Sequence, residues 1–383
     1  MKLAFIFDTC LIEYQNHYYS VNLTQQLWKT RYLSVFDDIV VITRVKHSDV
    51  EPKGKLVQSD MEGVSFRTID NSSSLKRVIK QKKEEVFIRD AITDCDFAIV
   101  RSWWGVNACK KQNIPYLFEV ITDAWDVMWN HSLVGKAVAI PYFFKQRSAI
   151  KNAPYVMYVT EKTLQKRYPT SGVNIGISDV YLTDKFTEDV LVRRIEKINN
   201  NSPKIVLGTA AAVDVRFKGQ RFIIRAIAKL KEKGIDNIEY QIVGSGNPEE
   251  LKYEARKCGV MDRIIFVGAI PHDVMYKWYD SIDIYVQPSL QEGLPRAVVE
   301  AMSRALPCMG TSTGGIPELI PEQFICRNKG NISQGFVKML SDIDSNRMVD
   351  MAIRNYEFSK KYDVDLINQK RRKFLQNAVK SIK

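Results

Sequence analysis

Residues 283–319 constrain the fold of this chain more than any other segment. They begin with an apolar run that ends at Pro288 and Ser289, which predicts a buried strand followed by a loop. Pro295 then opens a pattern in which apolar side chains recur at helical spacing, and a second apolar run begins at Leu306. A strand, a helix and a strand in this order predict a parallel sheet with helices packed on it.

Two carboxylates, Glu292 and Glu300, stand eight residues apart in this segment. Glu292 falls in the loop before the predicted helix, and Glu300 falls more than one turn inside it. The free N–H groups at the start of the helix, with the positive end of the helix dipole, favour an anion. The segment therefore offers a diphosphate site between two carboxylates that accept hydrogen bonds from hydroxyl groups, as a nucleotide-sugar requires.

The alternation of strands and helices continues through both halves of the chain, which predicts an α/β protein with two doubly wound parallel sheets. The first half runs from Met1 to about Lys185. A polar segment with a run of asparagines, residues 193–203, is predicted to be a linker. In the second half, glycine or glutamate follows several predicted strands, and ligands of such sheets bind at the carboxyl ends of the strands.

The run from Asp280 to Leu319 resembles the retaining glycosyltransferases of family four, which have the GT-B fold. Their E-x(7)-E signature corresponds to Glu292 and Glu300, and a Gly-Gly-Ile-Pro-Glu segment follows at residues 314–318. The resemblance implies two Rossmann-like domains that face a cleft, with a nucleotide-sugar as the donor.

The resemblance also implies how the domains are divided. Residues 1–190, joined by the C-terminal helix at about residues 360–383, would form the acceptor-binding domain. Residues 200–358 would form the donor-binding domain.

The resemblance assigns roles to residues of the donor site. Glu300 would bind the ribose hydroxyls, while Glu292 and the backbone N–H groups of Gly293 and Leu294 would hold the sugar hydroxyls and the phosphate. Four further positions after predicted strands are expected to contact the donor through the backbone, although an ordinary strand-to-helix turn explains them equally well: Gly244, Gly246, Gly268 and Ile270.

Cations are needed because the leaving group is a nucleoside diphosphate. Lys218, in a Lys-Gly pair before a helix, matches the family and is predicted to bind phosphate. The arginine that the family carries after the first strand of this domain is missing, and Arg216 is the candidate to replace it. With these cations we expect no metal ion and no cofactor, and we interpret Asp94 and Asp96 as a coincidental D-x-D.

The acceptor side is harder to assign from the sequence. Asp123 and His131 are the candidates to orient the acceptor hydroxyl, although each is also typical of a structural residue. Residues 8–19 occupy the loop in which the family often has a Gly-Gly pair, and they contain no glycine. Their aromatic and polar side chains could contact an acceptor sugar or form part of the core.

The net charge of +12 points to an anionic partner. Basic residues at 370–373, and an apolar stretch at 137–144 flanked by Lys136 and Lys145, could bind an anionic membrane or a lipid-pyrophosphate acceptor. The alternatives are a solvated helix face for the basic residues and a core helix, which the pattern favours, for the apolar stretch. Nucleic acid is not expected, because no nucleic-acid module is recognisable. The sequence has no signal peptide and no apolar span of ~20 residues, so we expect a cytoplasmic protein, peripheral at the inner face of the membrane.

These expectations together predict a retaining, metal-independent hexosyltransferase. It would move a sugar from a UDP- or GDP-sugar to a saccharide or lipid-linked acceptor in cell-surface polysaccharide synthesis, such as that of capsule, exopolysaccharide or lipopolysaccharide. Two alternatives stay open: a nucleotide-sugar epimerase of the same architecture, and a non-catalytic nucleotide-sugar-binding partner.

Overall fold

A computed structural model describes residues 1–54, 56–71, 74–125, 133–183, 186–200 and 202–381, with the backbone alone at 74–82 and 133–138. The chain divides into two compact units, one of residues 1–177 with 365–383 and one of residues 178–364. Each unit is built on a largely parallel sheet, so the predicted α/β class with two such domains is confirmed.

The sheet of the first unit has nine strands within the described residues, in the order β4-β2-β1-β6-β7-β8-β9, with β3 beside β1 and β5 beside β3. All pairs are parallel except those that β2 makes with β1 and β4. The strands are β1 Lys2–Tyr14, β2 His17–Ser20, β3 Asp38–His47, β4 Val57–Gln58, β5 Val64–Asp70, β6 Phe97–Val100, β7 Tyr116–Val120, β8 Tyr155–Tyr158 and β9 Val173–Gly176.

Residues 8–19 do not form the loop that the sequence suggested. β1 stays paired with β3 as far as Glu13 and ends at Tyr14, and the chain then turns at Gln15 and Asn16, whose φ angles are +49° and +64°. It then returns antiparallel as β2. Two consecutive residues with positive φ suit a two-residue hairpin turn because their twist matches that of the strands.

Most described helices of the first unit lie within residues 1–177, and one is formed by the C-terminal segment. They are Gln25–Leu27, continued by the π-helical turn Trp28–Tyr32, then Ser74–Ala91, Trp103–Gln112, Leu133–Lys151, Thr163–Arg167 and the C-terminal Val364–Lys380. The C-terminal helix packs on the first unit, where the rings of Phe374 and Tyr155 lie 6.1 Å apart. Arg371 is fully buried on this helix, so it does not belong to the exposed basic stretch that the sequence suggested.

The second unit contains a fully parallel sheet in the order β12-β11-β10-β13-β14-β15. Its strands are β10 Ile205–Ala210, β11 Ile238–Val243, β12 Ile264–Gly268, β13 Ile284–Gln287, β14 Cys308–Thr311 and β15 Ile325–Cys326. Its described helices are Glu188–Asn199, Gln220–Glu232, Glu249–Lys257, His272–Ser281, Arg296–Ser303, Ile316–Leu319, Ile332–Ser341 and Ser345–Ser359. The chain order reverses between β10 and β13, which is where such sheets bind ligands.

The predicted linker at residues 193–203 is wrong over most of its length. Helix Glu188–Asn199 occupies it and packs on the second unit through Val190 and Ile198. Arg194 is 3% exposed, and its guanidinium donates to the carbonyls of Tyr279 and Ile282 at the end of helix His272–Ser281. The polar composition that suggested a linker therefore includes a buried contact that anchors the helix.

Candidate functional site

Three loops meet at the carboxyl edge of the second sheet, near the reversal of strand order. The backbone N–H of Leu290, after β13, donates to the carbonyl of Phe217 at 2.7 Å. The N–H of Gly315, after β14, donates to the carbonyl of Gly293 at 2.6 Å. These bonds hold together the loops after β10, β13 and β14.

Glycine is required where these loops touch. Gly314 has φ +52°, and a Cβ there would collide with the carbonyl of Glu292. A Cβ on Gly315 would come within 2.8 Å of the carbonyl oxygen of Gly293. The Gly-Gly pair of the sequence motif thus allows the loop after β14 to contact the backbone of the loop that carries Glu292.

Glu292 lies at the centre of a hydrogen-bond network. Lys218 Nζ is 2.8 Å from Glu292 Oε1, and Gln287 Nε2 donates to the same oxygen at 3.0 Å. The Oη of buried Tyr285 donates to Gln287 Oε1 at 2.7 Å, which orients the amide. The structure therefore brings Lys218 and Glu292 together, and it adds Gln287, which the sequence analysis missed.

Glu300 lies within helix Arg296–Ser303 and is 5% exposed. Tyr279 Oη donates to its Oε2 at 3.0 Å, and His272 Nε2 lies 3.5 Å from its Oε1. Burial, and then the negative charge of Glu300, raise the pKa of Tyr279, so the phenol stays protonated and can donate. The sequence analysis also missed Tyr279 and His272, although their i, i+7 spacing along helix His272–Ser281 can be read from the sequence.

Arg216 lies in the same short turn as Lys218 but has a different partner. Its side chain is 74% exposed, and its Nε is 2.9 Å from Glu250 Oε1 on helix Glu249–Lys257. The guanidinium that was expected to replace the family arginine is thus paired on the surface.

The four loop positions predicted to contact the donor also have structural roles or open surroundings. A Cβ on Gly244 would collide with the carbonyl of Ala211, so glycine there permits two loops to touch. A Cβ on Gly268 would meet nothing within 4 Å, which leaves open space beside that loop. Gly246 lies against the Asp214 carboxylate, and Ile270 packs on the core.

Asp123, in the first unit, is held by three neighbours. Its Oδ1 accepts hydrogen bonds from Tyr168 Oη at 2.5 Å and from the backbone of Trp125 at 2.9 Å, and Arg167 Nε is 3.0 Å from its Oδ2. This arrangement is typical of a carboxylate that orders a loop, and its role toward an acceptor stays a prediction. His131 lies outside the described residues.

Asp94 and Asp96 both serve the first unit's own structure. Asp94 pairs with Arg67 and Lys2, and these cations, Arg67 first, hold its pKa well below the usual range. Asp96 accepts a hydrogen bond from the backbone N–H of Lys2 at 2.7 Å. Among the described residues, no group of three or more His, Cys, Asp or Glu side chains could hold a metal ion.

Comparison with known proteins gives consistent matches. Residues 204–343 match the family described as "Glycosyl transferases group 1". Protein CapJ of Staphylococcus aureus is 32% identical over 392 residues, covering 100% of this chain and 97% of CapJ.

Two solved structures share the fold over nearly the whole chain. Anabaena Alr3699/HepE, determined in complex with UDP-glucose, aligns with a TM-score of 0.62 at 16% identity and covers 98% of this chain and 100% of HepE. WaaG, a glycosyltransferase involved in lipopolysaccharide biosynthesis, aligns with a TM-score of 0.63 at 15% identity and covers 97% of this chain and 98% of WaaG.

Proposed function

Because the chain belongs to the group 1 glycosyltransferases, with the GT-B fold, we propose that it transfers a sugar from a nucleoside diphosphate donor with retention of configuration and without a metal ion. The observation that carries the proposal is the meeting of Lys218 and Glu292 at the carboxyl edge of the second sheet, on the loops after β10 and β13, the second of which leads into helix Arg296–Ser303. Glu300, inside that helix, supplies the second carboxylate.

The ribose, the diphosphate and the sugar of the donor each have a group in this site that can bind them. Glu300 binds the ribose hydroxyls, and Lys218 with the backbone N–H groups of Gly293 and Leu294 binds the diphosphate. Glu292 accepts hydrogen bonds from sugar hydroxyls while Lys218 and Gln287 orient it. UDP is the nucleotide we propose, since the HepE structure of the same fold holds UDP-glucose.

Retention follows from reaction on one face of the sugar. The bond between the anomeric carbon and the diphosphate oxygen breaks, and the acceptor oxygen bonds to that carbon from the same side. The proton of the acceptor hydroxyl passes to the departing phosphate oxygen, whose charge Lys218 and the helix start stabilise.

Chelator should leave the activity unchanged. Lys218 and the start of helix Arg296–Ser303 supply the positive charge that a metal would otherwise bring. The measurement is the transfer rate in excess EDTA, with and without added Mg²⁺ or Mn²⁺. Loss of activity that either metal restores would contradict metal independence and would return attention to Asp94 and Asp96.

Replacing Glu300 with alanine should weaken UDP binding by roughly 10- to 100-fold, since a charged hydrogen bond to the ribose is worth ~1.5–3 kcal/mol. Isothermal titration measures the affinity. Glu357→Ala is the control, because Glu357 is half-exposed and pairs only locally with Lys360. Equal UDP affinity in Glu300→Ala and the wild type would contradict the ribose assignment.

We propose a saccharide or lipid-linked acceptor at the surface of an anionic membrane, in cell-surface polysaccharide synthesis. Ile140 and Phe144, one turn apart on helix Leu133–Lys151, are 53% and 62% exposed, and the exposed Lys145 follows them. Apolar side chains beside a cation suit an interfacial helix. None of the described helices is long and apolar enough to cross a membrane.

Anionic vesicles should bind the protein weakly, and the binding should fall with salt. Each exposed basic residue contributes ~1 kcal/mol, so changing Lys370, Arg372 and Lys373 together to glutamine should weaken binding by up to roughly 100-fold at low salt. Buried Arg371 is left intact. A triple change of Lys229, Lys231 and Lys233, in the second unit, is the control. Equal sedimentation with neutral and anionic vesicles at low salt would contradict the membrane proposal.

The transferase, the epimerase and the binding partner differ in the product that each forms from the nucleotide-sugar. An epimerase would convert a nucleotide-sugar without any acceptor, and a binding partner would bind the donor without turnover on any acceptor. Screening nucleotide-sugars for thermal stabilisation comes first, because a ligand at a hundred times its Kd adds ~2.7 kcal/mol. Product analysis with the stabilising donor, with and without acceptor, then decides between the three.

A further inference from the structure

Three ring side chains lie on one face of helix His272–Ser281. His272, Tyr276 and Tyr279 stand at positions i, i+4 and i+7, which share a face of an α-helix. Neighbouring rings along this face pack against each other. The ring centroids are 5.8 Å apart for His272 and Tyr276 and 6.4 Å apart for Tyr276 and Tyr279. The face is directed toward helix Arg296–Ser303, because Tyr279 Oη donates to Glu300.

The residues at the two ends of this face, Tyr279 and His272, lie beside the two oxygens of the Glu300 carboxylate. Tyr279 is fully buried and lies 3.0 Å from Glu300 Oε2. His272 has a side chain that is 62% exposed, and its Nε2 lies 3.5 Å from Glu300 Oε1. The carboxylate is therefore anchored through its inner oxygen, while its other oxygen lies beside an accessible imidazole.

We propose that His272 binds the ribose of the donor together with Glu300, so that two side chains from two helices share the vicinal diol. The inference rests on the proposed function. Glu300 Oε1 accepts a hydrogen bond from one hydroxyl, and His272 Nε2 bonds to the neighbouring hydroxyl. The 3.5 Å between the two groups is long for a hydrogen bond of their own, so each keeps capacity for a ligand hydroxyl.

The position of His272 along the chain supports this role. It is the first residue of its helix and follows the turn of Gly268 to Pro271 after β12, at the carboxyl edge of the sheet. The backbone of that turn, at Gly268 and Ile270, is expected to contact the donor. His272 lies between that turn and Glu300, as a residue that shares the ribose with Glu300 requires, and the site is then selective for ribonucleotides over deoxyribonucleotides.

The test is a set of affinities for UDP, 2′-deoxy-UDP and 3′-deoxy-UDP, measured by calorimetry. The proteins are the wild type, His272→Ala, His272→Gln and the control His47→Ala. His47 lies in the first unit with a side chain that is 65% exposed and acidic neighbours, Glu13 and Asp70, so it matches His272 in exposure and setting.

A site that bonds a hydroxyl rejects the analogue that lacks it. The wild type and His47→Ala should bind at least one deoxy analogue about tenfold more weakly than UDP. His272→Ala should bind UDP about tenfold more weakly and discriminate against that analogue less than about twofold. His272→Gln, which keeps a hydrogen-bonding group, should retain part of the discrimination.

Unchanged discrimination in His272→Ala would overturn the inference, even if its UDP affinity fell, because a structural effect weakens all three ligands alike. Lack of discrimination by the wild type would overturn it as well. GDP and its deoxy analogues are measured in parallel, so that a guanine-specific site is tested in the same way. If the wild type binds neither nucleotide, the proposed donor itself fails. Weaker UDP binding in Glu300→Ala, together with unchanged affinity and discrimination in His272→Ala, would leave that donor standing and remove only His272 from the site.

Discussion

Replacing Lys218 with alanine is expected to lower kcat roughly 100- to 1,000-fold, the range found when one preorganised charge-stabilising donor is removed. Lys218 lies 2.8 Å from Glu292 Oε1, and its side chain is only 24% exposed. Without the ammonium group, the leaving diphosphate develops its negative charge beside an uncompensated carboxylate. The measurement is the initial rate of transfer at saturating donor, with circular dichroism to show that the fold survives.

Lys252→Ala is the matched control for this prediction. Lys252 also pairs with a glutamate, Glu249 at 2.9 Å, but on the surface helix Glu249–Lys257. Its kcat should equal that of the wild type. A Lys218→Ala enzyme within about threefold of the wild type would contradict the assigned role, and it would make Arg216 the next cation to test.

Replacing Arg194 with methionine is expected to lower the free energy of unfolding of the second unit by about 3–5 kcal/mol, as for other broken buried charge networks. Its guanidinium donates to Ile282 O at 2.6 Å and Tyr279 O at 2.9 Å, where the carbonyls at a helix C-terminus favour a cation. Burial lowers its pKa to about 10, so it remains charged at neutral pH. Methionine fills the space but removes the guanidinium donor from both carbonyls, although the Ile282 carbonyl keeps Lys197 Nζ at 3.0 Å.

The effect of Arg194→Met is measured as a shift of the thermal transition, roughly 6–20 °C downward for a unit of this size. Arg193→Met is the control in the same helix, because Arg193 is 65% exposed and pairs with Asp189 on the surface. Its free energy of unfolding should change by less than about 0.5 kcal/mol. Equal transitions for the two variants would show that the helix Glu188–Asn199 is not anchored through Arg194.

The sequence pointed to Lys218 and Glu292 separately, Lys218 through the family's Lys-Gly pair and Glu292 through its place after a strand. Only the structure shows that the two side chains pair. Gln287 was missed because a glutamine at the end of an apolar strand has no distinguishing spacing. His272 was missed for another reason: its i, i+4, i+7 pattern with Tyr276 and Tyr279 is visible in the sequence, but an aromatic stripe is usually core. Only the structure places Glu300 beside that stripe.

Local composition predicts the wrong structure where a tertiary contact decides it. Residues 193–199 are polar and charged, yet Arg194 is buried because helix His272–Ser281 ends beside it. Arg371 stands in a basic run, yet it is fully buried on the first unit while its neighbours are exposed. Long basic side chains bury when carbonyls or acids compensate the charge, and sequence does not reveal such partners.

The sequence by itself determined the α/β class and the two parallel sheets, and it placed Glu292 after a strand of the second sheet. Periodic apolar runs select strands and helices, and strands joined through helices align in parallel with their ends together. Only the tertiary structure decided that β1 extends into a hairpin, and that Glu300 is held between Tyr279 and His272. The hairpin turn at Gln15 and Asn16 lacks the glycine that usually marks one. The contacts of Glu300 join two helices, whose relative geometry no local pattern encodes.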